Sequence, residues 1–196
     1  CAFGGIVALV HKIDESAATE ICKGFVEVVL APEFSNESLE VFAKKPNIRV
    51  IKFNPQGWAK VAAQPTWKSA CGGILLQSGD VSLKAPQDME LVAGSDSSIL
   101  ENRKVDIALA WAAAKHIKSN AISLVKDGML IGVGAGQMSR VDSARLSIQR
   151  AKNQGFDPVG AISASDAFLP FPDTLEVLAE AGAVMLIQPG GSIKDE

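Results

Sequence analysis

The feature that most restricts the fold is a regular alternation of short apolar runs with helical patterns. Two runs, Gly5–Val10 ("GIVALV") and Phe25–Pro32 ("FVEVVLAP"), are almost wholly apolar, as in strands that are buried on both faces. A third run, Ile48–Phe53 ("IRVIKF"), alternates apolar and charged residues and predicts a half-buried strand. Amphipathic segments with the predicted N-caps Asp14 and Ser35 separate the runs. This order of elements predicts an α/β fold with a parallel or mixed sheet.

The second half of the chain repeats this alternation. Residues 54–98 are less regular and predict one or two strands with connecting loops. A long helix is predicted for residues 101–119, with an apolar stripe that includes Val105, Leu109 and His116. An Asp-Gly turn between two apolar runs then predicts a β-hairpin. The further predicted elements are a helix at 139–155, a strand at 159–165, a helix at 174–182 and a strand at 183–191.

Charge and composition exclude several classes of protein. The chain has 196 residues and a formal net charge of -3, which provides no general attraction for nucleic acid or an anionic membrane. Its three cysteines, Cys1, Cys22 and Cys71, do not have the spacing of a disulfide framework or a zinc site. With so few cysteines, a reducing cytoplasm is the expected location. No apolar run reaches transmembrane length. Because the chain starts without Met and ends directly after a strand pattern, we expect both ends to be cut from a longer protein.

A glycine-rich stretch, Ile131–Arg140 ("IGVGAGQMSR"), is the first candidate for chemistry. A dinucleotide-binding turn requires a third glycine where Gln137 stands, which argues against a nicotinamide-dependent oxidoreductase, and a P-loop requires Gly-Lys-Ser/Thr. Two interpretations remain open. The stretch is either a structural turn from strand to helix or a turn that contacts a ligand. In the second case, glycine amides would approach the ligand, and Ser139 and Arg140 would add a hydroxyl and a cation.

Asn120 is the second candidate, because it stands where the long helix stops and the hairpin begins. It is either a helix C-cap or a functional amide that donates to a carbonyl and accepts from an amine. The adjacent Lys115 and His116 are not predicted to be an acid–base pair, because neighbouring helical residues point about 100° apart.

The loop "SASDAFLPFPD" follows a predicted buried strand, at a position where α/β folds bind ligands. Its aromatic and proline side chains could offer a flat apolar surface to a ring, and its aspartates could pair with the polar edge of that ring. Alternatively, the loop is stiffened by proline and its aromatic rings cover the core. The residues concerned are Phe168, Pro170, Phe171, Asp166 and Asp173.

Seven segments spread along the chain carry a resemblance to a known family. The longest and most specific is Lys126–Arg145, "KDGMLIGVGAGQMSRVDSAR". The other six are Ala2–Leu9, Phe25–Pro32, Gly72–Gln77, Ala114–Ile122, Ser165–Asp173 and Ile187–Glu196. In this order they resemble the AICAR transformylase domain of the bifunctional AICAR transformylase/IMP cyclohydrolase family.

The resemblance implies a fold and a reaction. It implies two partial cytidine-deaminase-like α/β/α subdomains, which would occupy residues 1–98 and 121–196, with a linking helix at 99–120. It also implies an intertwined homodimer without catalytic zinc. In such enzymes, 10-formyltetrahydrofolate donates a formyl group to the 5-amino group of AICAR, which gives FAICAR.

The resemblance also implies roles for individual residues. Asn120 matches the asparagine that orients AICAR and assists proton transfer. The residues matched to the AICAR pocket are Phe3, Gly4, Glu27, Arg140 and Phe168. Those matched to the folate side are Ser139, Val141, Pro170, Phe171 and Asp173. Some members hold a potassium ion near the counterparts of Ser119 and Asp166.

The chain departs from the family pattern in ways that bear on activity. The catalytic Lys-His pair of the family lies upstream of "AFGG", and a substrate-binding arginine lies beyond Glu196. The cyclohydrolase domain is also outside this sequence. Pro172 replaces the arginine of the family's "PFRD", and Leu169 replaces a common phenylalanine. We therefore expect this chain alone to be deficient in catalysis, and the alternative function is a ligand-binding or assembly module.

Overall fold

The α/β class predicted from the sequence is confirmed in a computed structural model of the chain. The structure describes residues 3–94 and 97–193. Cys1, the first residue of the matched segment Ala2–Leu9 and the last three residues of the matched segment Ile187–Glu196 therefore lie outside the described residues. The chain forms two compact units, 1–81 and 82–196.

The first unit is built on a three-stranded parallel sheet. Its strands, in spatial order, are β1 (Gly5–Ala8), β2 (Val26–Ala31) and β3 (Arg49–Lys52). Its first two helices are α1 (Glu15–Ile21) and α2 (Asn36–Ala43). Asp14 and Ser35 cap these helices through their side-chain oxygens, as the sequence predicted. Val29 of β2 is buried with Ala18 of α1 and Phe42 of α2, so the helices cover one face of the sheet. The prediction that β1 and β2 are buried on both faces is therefore wrong, since β1 has no buried residue and β2 buries Val29 and Ala31 alone.

The prediction of a half-buried β3 is wrong, since all four of its residues are exposed. Alternation in a strand indicates two chemically different faces, but only packing decides whether the apolar face is covered. In β3, Val50 and Ile51 carry the exposed apolar surface.

A helix and a hairpin complete the first unit. The helix, α3 (Pro55–Ala62), was not predicted, although Asn54 caps it and Pro55 occupies its first turn. The hairpin joins the antiparallel strands β4 (Thr66–Ala70) and β5 (Gly73–Gln77). Every residue of α3, β4 and β5 is exposed, including Trp58 and Trp67.

The second unit has three layers. Its mixed sheet has the spatial order β7-β6-β8-β9, and its strands are β6 (Ile122–Lys126), β7 (Met129–Gly134), β8 (Ile162–Ser165) and β9 (Met185–Ile187). Its helices are α4 (Ile99–Asn102), α5 (Lys104–His116), α6 (Arg140–Asn153) and α7 (Asp173–Glu180). Helix α5 packs on one face of the sheet, and α6 and α7 pack on the other. The predicted hairpin between β6 and β7 is confirmed.

The long helix predicted for residues 101–119 is instead broken at Arg103, which separates α4 from α5. The buried stripe of α5 consists of Asp106, Ile107, Ala110 and Ala114, whereas Val105 and His116 of the predicted stripe are exposed. Because this stripe packs against β6 and β8, the segment predicted as a linker is part of the second unit.

The assignment to cytidine-deaminase-like subdomains remains a prediction. In the described part of the chain, no helix has the length and apolar character needed to cross a membrane.

Candidate functional site

Four polar residues meet at one edge of the second sheet, where β6 begins and both β7 and β8 end. The antiparallel pairing explains this, since Ile122 lies opposite Gly134 on one side and Ser165 on the other. The segments that flank these strand ends must therefore lie side by side. We call the group the Asn120 cluster, and its members are Asn120, Gln137, Arg140 and Asp166.

Asn120 is held through its side chain and is not a helix cap. Its Nδ2 donates to the Gln137 carbonyl oxygen at 2.9 Å. The C-cap of α5 is Ile117, so the C-cap interpretation of Asn120 is wrong. The Ser119–Asn120 peptide bond is cis. Among the described residues, no hydrogen bond reaches Asn120 Oδ1, which is therefore free to accept from an amine.

Arg140 and Asp166 form the charged part of the cluster. Arg140 Nη2 lies 3.6 Å from Asp166 Oδ1, and the two side chains are 20% and 17% exposed. The same Asp166 oxygen accepts a hydrogen bond from the Ala121 amide at 2.9 Å. Arg140 Nε is buried and has no hydrogen-bond partner in the described part of the structure. The guanidinium is therefore a fixed, partly buried cation whose Nη2 faces Asp166 and whose Nε is closed off from solvent.

The start of α6 places two of the five residues that the resemblance assigned to the folate side. Ser139 is the N-cap, and its Oγ accepts from the Asp142 amide at 3.2 Å and donates to the Asp142 carboxylate at 2.6 Å. Val141 lies half-buried in the first turn. The Ser139 hydroxyl thus already caps the helix, while its contact with folate remains a prediction.

The alternating glycines of "IGVGAG" serve helix packing at two of their three positions. A Cβ on Gly132 would lie 2.3 Å from the Ser147 carbonyl oxygen, and one on Gly134 would lie 1.9 Å from that of Ser143. Only glycine therefore allows α6 to lie this close to β7. The third, Gly136, has a φ of +66° and forms the turn toward α6. The structural interpretation thus holds for Gly132 and Gly134, whereas the turn at Gly136 leads directly into the Asn120 cluster.

The loop after β8 presents the predicted aromatic residues. Phe168 and Phe171 are exposed, and Pro170 is half-buried. The Leu169 amide donates to Gln188 Oε1 at 2.8 Å, which ties the loop to the segment after β9. Because both rings face solvent, they do not cover the core as the structural alternative required.

Asp173 has a role at a helix terminus. It is the first residue of α7, and its Oδ1 accepts from the Thr174 amide at 2.7 Å. A carboxylate in the first turn is also favoured by the helix dipole. Its predicted contact with the folate ring is a separate role that this geometry leaves open.

The remaining predicted substrate residues lie together in the first unit. The Phe3 ring is 4.8 Å from that of Phe25, and the Gly4 amide donates to the Phe25 carbonyl at 3.1 Å. Glu27 Oε1 would be 2.9 Å from a Cβ on Gly4. Glu27 also faces Arg49, with 4.0 Å between the charged groups. The amino ends of the parallel strands therefore present an exposed aromatic ring beside a carboxylate.

The potassium site expected near Ser119 and Asp166 has an unfavourable charge environment. Asp166 already faces the Arg140 guanidinium, so an added cation would meet a positive charge. Ser119 is exposed. The described residues also contain no group of three or more His, Cys, Asp or Glu side chains that could hold a metal ion.

Sequence reasoning missed a buried carboxylate at Asp106, which is 5% exposed. It accepts from the Gly128 amide at 2.6 Å, the Asp127 amide at 3.2 Å and the Arg103 guanidinium at 2.7 Å. Burial alone would raise the pKa of Asp106, but the hydrogen bonds from Gly128, Arg103 and Asp127 outweigh it and lower the pKa. The sequence signal for this buried carboxylate was its spacing, because Asp106 precedes Ala110 by four residues and therefore lies on the same buried face of α5. This group fastens the hairpin turn to α5.

A comparison with protein-family models agrees with the resemblance carried by the segments. The model described as the AICARFT/IMPCHase bienzyme matches residues 1–150. The match includes three members of the Asn120 cluster, Asn120, Gln137 and Arg140, together with Phe3, Gly4 and Glu27 of the first unit. Since the matched region is more than half of the chain, the chain belongs to the AICARFT/IMPCHase bienzyme family, a family of purine-biosynthesis enzymes.

Proposed function

We propose that this chain supplies part of the active site of an AICAR formyltransferase. The reaction transfers a formyl group from 10-formyltetrahydrofolate to the 5-amino group of AICAR and gives FAICAR in purine synthesis. The observation that carries the proposal is the convergence of Asn120, Arg140 and Asp166 at one edge of the second sheet. Membership in a family of purine-biosynthesis enzymes supports it.

The chemistry of the acceptor explains why an oriented amide is useful. The lone pair of the AICAR amine is delocalised into the imidazole ring and its carboxamide, so the amine is a poor nucleophile. Asn120 Nδ2 is committed to Gln137, which leaves Oδ1 to accept a hydrogen bond from the amine. Such a bond would hold the nitrogen in line with the formyl carbon of the donor, and orientation of this kind is a large source of rate.

The cation of the cluster suits an anionic substrate. AICAR is a ribonucleotide with a phosphate group, and Arg140 supplies a partly buried guanidinium cation at this site. The guanidinium also remains charged at neutral pH. Phe168 and Phe171 present exposed rings in the neighbouring loop, in accordance with their proposed contacts with the AICAR base and the pterin.

A general base is the part that the cluster lacks. Its members are two amides, a guanidinium and a carboxylate that is already paired with Arg140. The two histidines, His11 and His116, are both exposed, and no hydrogen bond joins either of them to the cluster within the described residues. This observation favours the second candidate function for the chain by itself, which is a ligand-binding or assembly module that needs a base from elsewhere.

The proposal extends to the partners and the setting of the enzyme. We propose a cytoplasmic homodimer that acts on small molecules, without zinc and without binding nucleic acid or a membrane. Potassium near Ser119 and Asp166 remains part of the prediction, and no step of the proposed reaction uses it.

The decisive experiment measures tetrahydrofolate formation by absorbance in the full-length protein with AICAR and 10-formyltetrahydrofolate. We expect turnover in the wild type and a loss of about 100-fold in kcat for Asn120→Ala. The matched control is Asn102→Ala, because Asn102 is exposed on α4 and, within the described residues, its side chain donates only to Ser98 Oγ at 3.3 Å. Absence of turnover in the wild type would reject the formyltransferase. Binding of AICAR by calorimetry without turnover would support the binding module instead.

A further inference from the structure

The hydroxyl of Ser143 reaches from α6 to the backbone of Asn120. Its Oγ donates to the Asn120 carbonyl oxygen at 2.7 Å, and the Ser143 residue is fully buried. A serine hydroxyl inside a helix ordinarily bonds to a carbonyl of the preceding turn. Ser147, one turn further along α6, does this with the carbonyl oxygen of Ala144 at 2.8 Å. The two serines are therefore equally buried, but only Ser143 contacts the candidate site.

We propose that Ser143 is a positioning residue, which holds Asn120 in the orientation that the transfer reaction requires. This inference rests on the proposed formyltransferase function. Asn120 is then fastened at three points. Gln137 accepts from its side chain, Ser143 donates to its carbonyl, and Asp166 accepts from the amide of the next residue, Ala121.

The close packing of α6 on β7 makes this contact achievable. A serine side chain is short, so its hydroxyl reaches another segment only where the two backbones lie close together. Gly134 provides that approach, because the Ser143 carbonyl oxygen occupies the space that a Cβ at position 134 would need. Gly134 also pairs with Ile122, two residues after Asn120. Gly134 of β7 thus contacts Ser143 of α6, and Ser143 in turn contacts Asn120 of the candidate site.

Loss of the hydroxyl should disturb orientation more than stability. Without it, the Asn120 carbonyl loses one anchor, and the side-chain Oδ1 samples directions that do not face the substrate amine. A displacement of about 1 Å at a reacting group can reduce the rate about 100-fold, so a smaller loss of orientation should cost less than that. We expect Ser143→Ala to lower kcat about tenfold, with a change of less than about twofold in the KM for AICAR.

The matched control is Ser147→Ala in the same full-length protein. Both variants remove one buried hydroxyl from the same face of α6, so both should unfold at similar urea concentrations. Only Ser143→Ala should lose activity. Equal kcat values for the two variants would overturn the proposal, as would a loss in Ser143→Ala that merely follows a lower unfolding midpoint.

A double variant tests whether Ser143 acts through Asn120. If it does, Ser143→Ala should cause no further loss of kcat when Asn120 is already alanine. Multiplication of the two single losses would show that Ser143 acts by another route and would overturn the proposal.

A measurement without substrate separates this inference from the proposed function. With isotope-labelled asparagine, NMR reports hydrogen exchange of the Asn120 side-chain amide, whose resonance is assigned by its loss in Asn120→Ala. We expect faster exchange in Ser143→Ala and unchanged exchange in Ser147→Ala, since only the first loses an anchor of Asn120. Unchanged exchange in both variants would refute the positioning role even if the enzyme turns over. Absence of turnover in the wild type with faster exchange in Ser143→Ala would refute the formyltransferase function and retain the anchoring of Asn120.

Discussion

Replacement of Gly134 by alanine tests how closely α6 must lie on β7. The added Cβ would be 1.9 Å from the Ser143 carbonyl oxygen, whereas ordinary van der Waals contact begins at 3.4 Å. The two groups must therefore move apart by about 1.5 Å. The obstacle is backbone on both sides, so no side-chain rotation can relieve it. We expect α6 to shift as a unit.

The shift has two measurable costs. Overpacking in a closely packed interior destabilises a protein by about 1–3 kcal/mol, and we expect Gly134→Ala to fall in the upper half of this range. Arg140 and Ser143 both move with α6, so the Asn120 cluster loses its geometry as well. Since a displacement of about 1 Å can reduce turnover about 100-fold, we expect a loss of that order in the full-length protein.

Urea unfolding and the tetrahydrofolate assay measure these two costs. The control is Gly73→Ala in β5, because Gly73 lies in a strand, has no positive φ and has no atom within 4 Å of an added Cβ. It should change the free energy of unfolding by less than about 0.5 kcal/mol. If Gly134→Ala unfolds at the same urea concentration as Gly73→Ala, the proposed role of glycine in helix packing is wrong.

Three further variants test the charged groups. Asp106→Asn should cost about 3 kcal/mol at neutral pH, because Asp106 pairs with Arg103 in a buried site. The variant should also make urea unfolding less dependent on acidic pH. The lowered pKa of Asp106 stabilises the fold above its ordinary value of 3.8, and this stabilisation is lost as the pH falls through the pKa of Asp106 in the folded protein. If the pH dependence of unfolding is the same in the variant and the wild type, this reasoning is wrong. Arg140→Lys should raise the KM for AICAR about tenfold in steady-state assays, because lysine lacks the planar fork of donors; an unaltered KM argues against substrate contact. Lys12→Met should leave the urea midpoint unchanged, since Lys12 and Glu33 pair in solvent, and a clear decrease would show that the pair matters.

Much of the local structure was predictable because its causes are close in the sequence. Asp14, Ser35 and Ser139 cap helices through bonds to amides three residues ahead, and their neighbours identify them. The Asp127-Gly128 turn has positive φ at both residues, which this dipeptide favours. The α/β class followed from the same local patterns.

The candidate residues could be picked out from the sequence, but their convergence into one site could not, because its contacts join distant parts of the chain. Asn120 meets Gln137 across 17 positions and Ser143 across 23, while Ala121 meets Asp166 across 45. Neither periodicity nor spacing contains such pairings. They arise when the sheet places the start of β6 beside the ends of β7 and β8.

The sequence by itself determined most of the element types, the hairpin and the class of fold, since these depend on propensity, capping and alternation within a few residues. Only the tertiary structure decided which faces are covered, as exposed β3 and buried Asp106 show. It also decided what the glycines of "IGVGAG" do. Two of them admit the backbone of α6, because the distance between a strand and a helix is set by packing and cannot be deduced from the residues of either one alone.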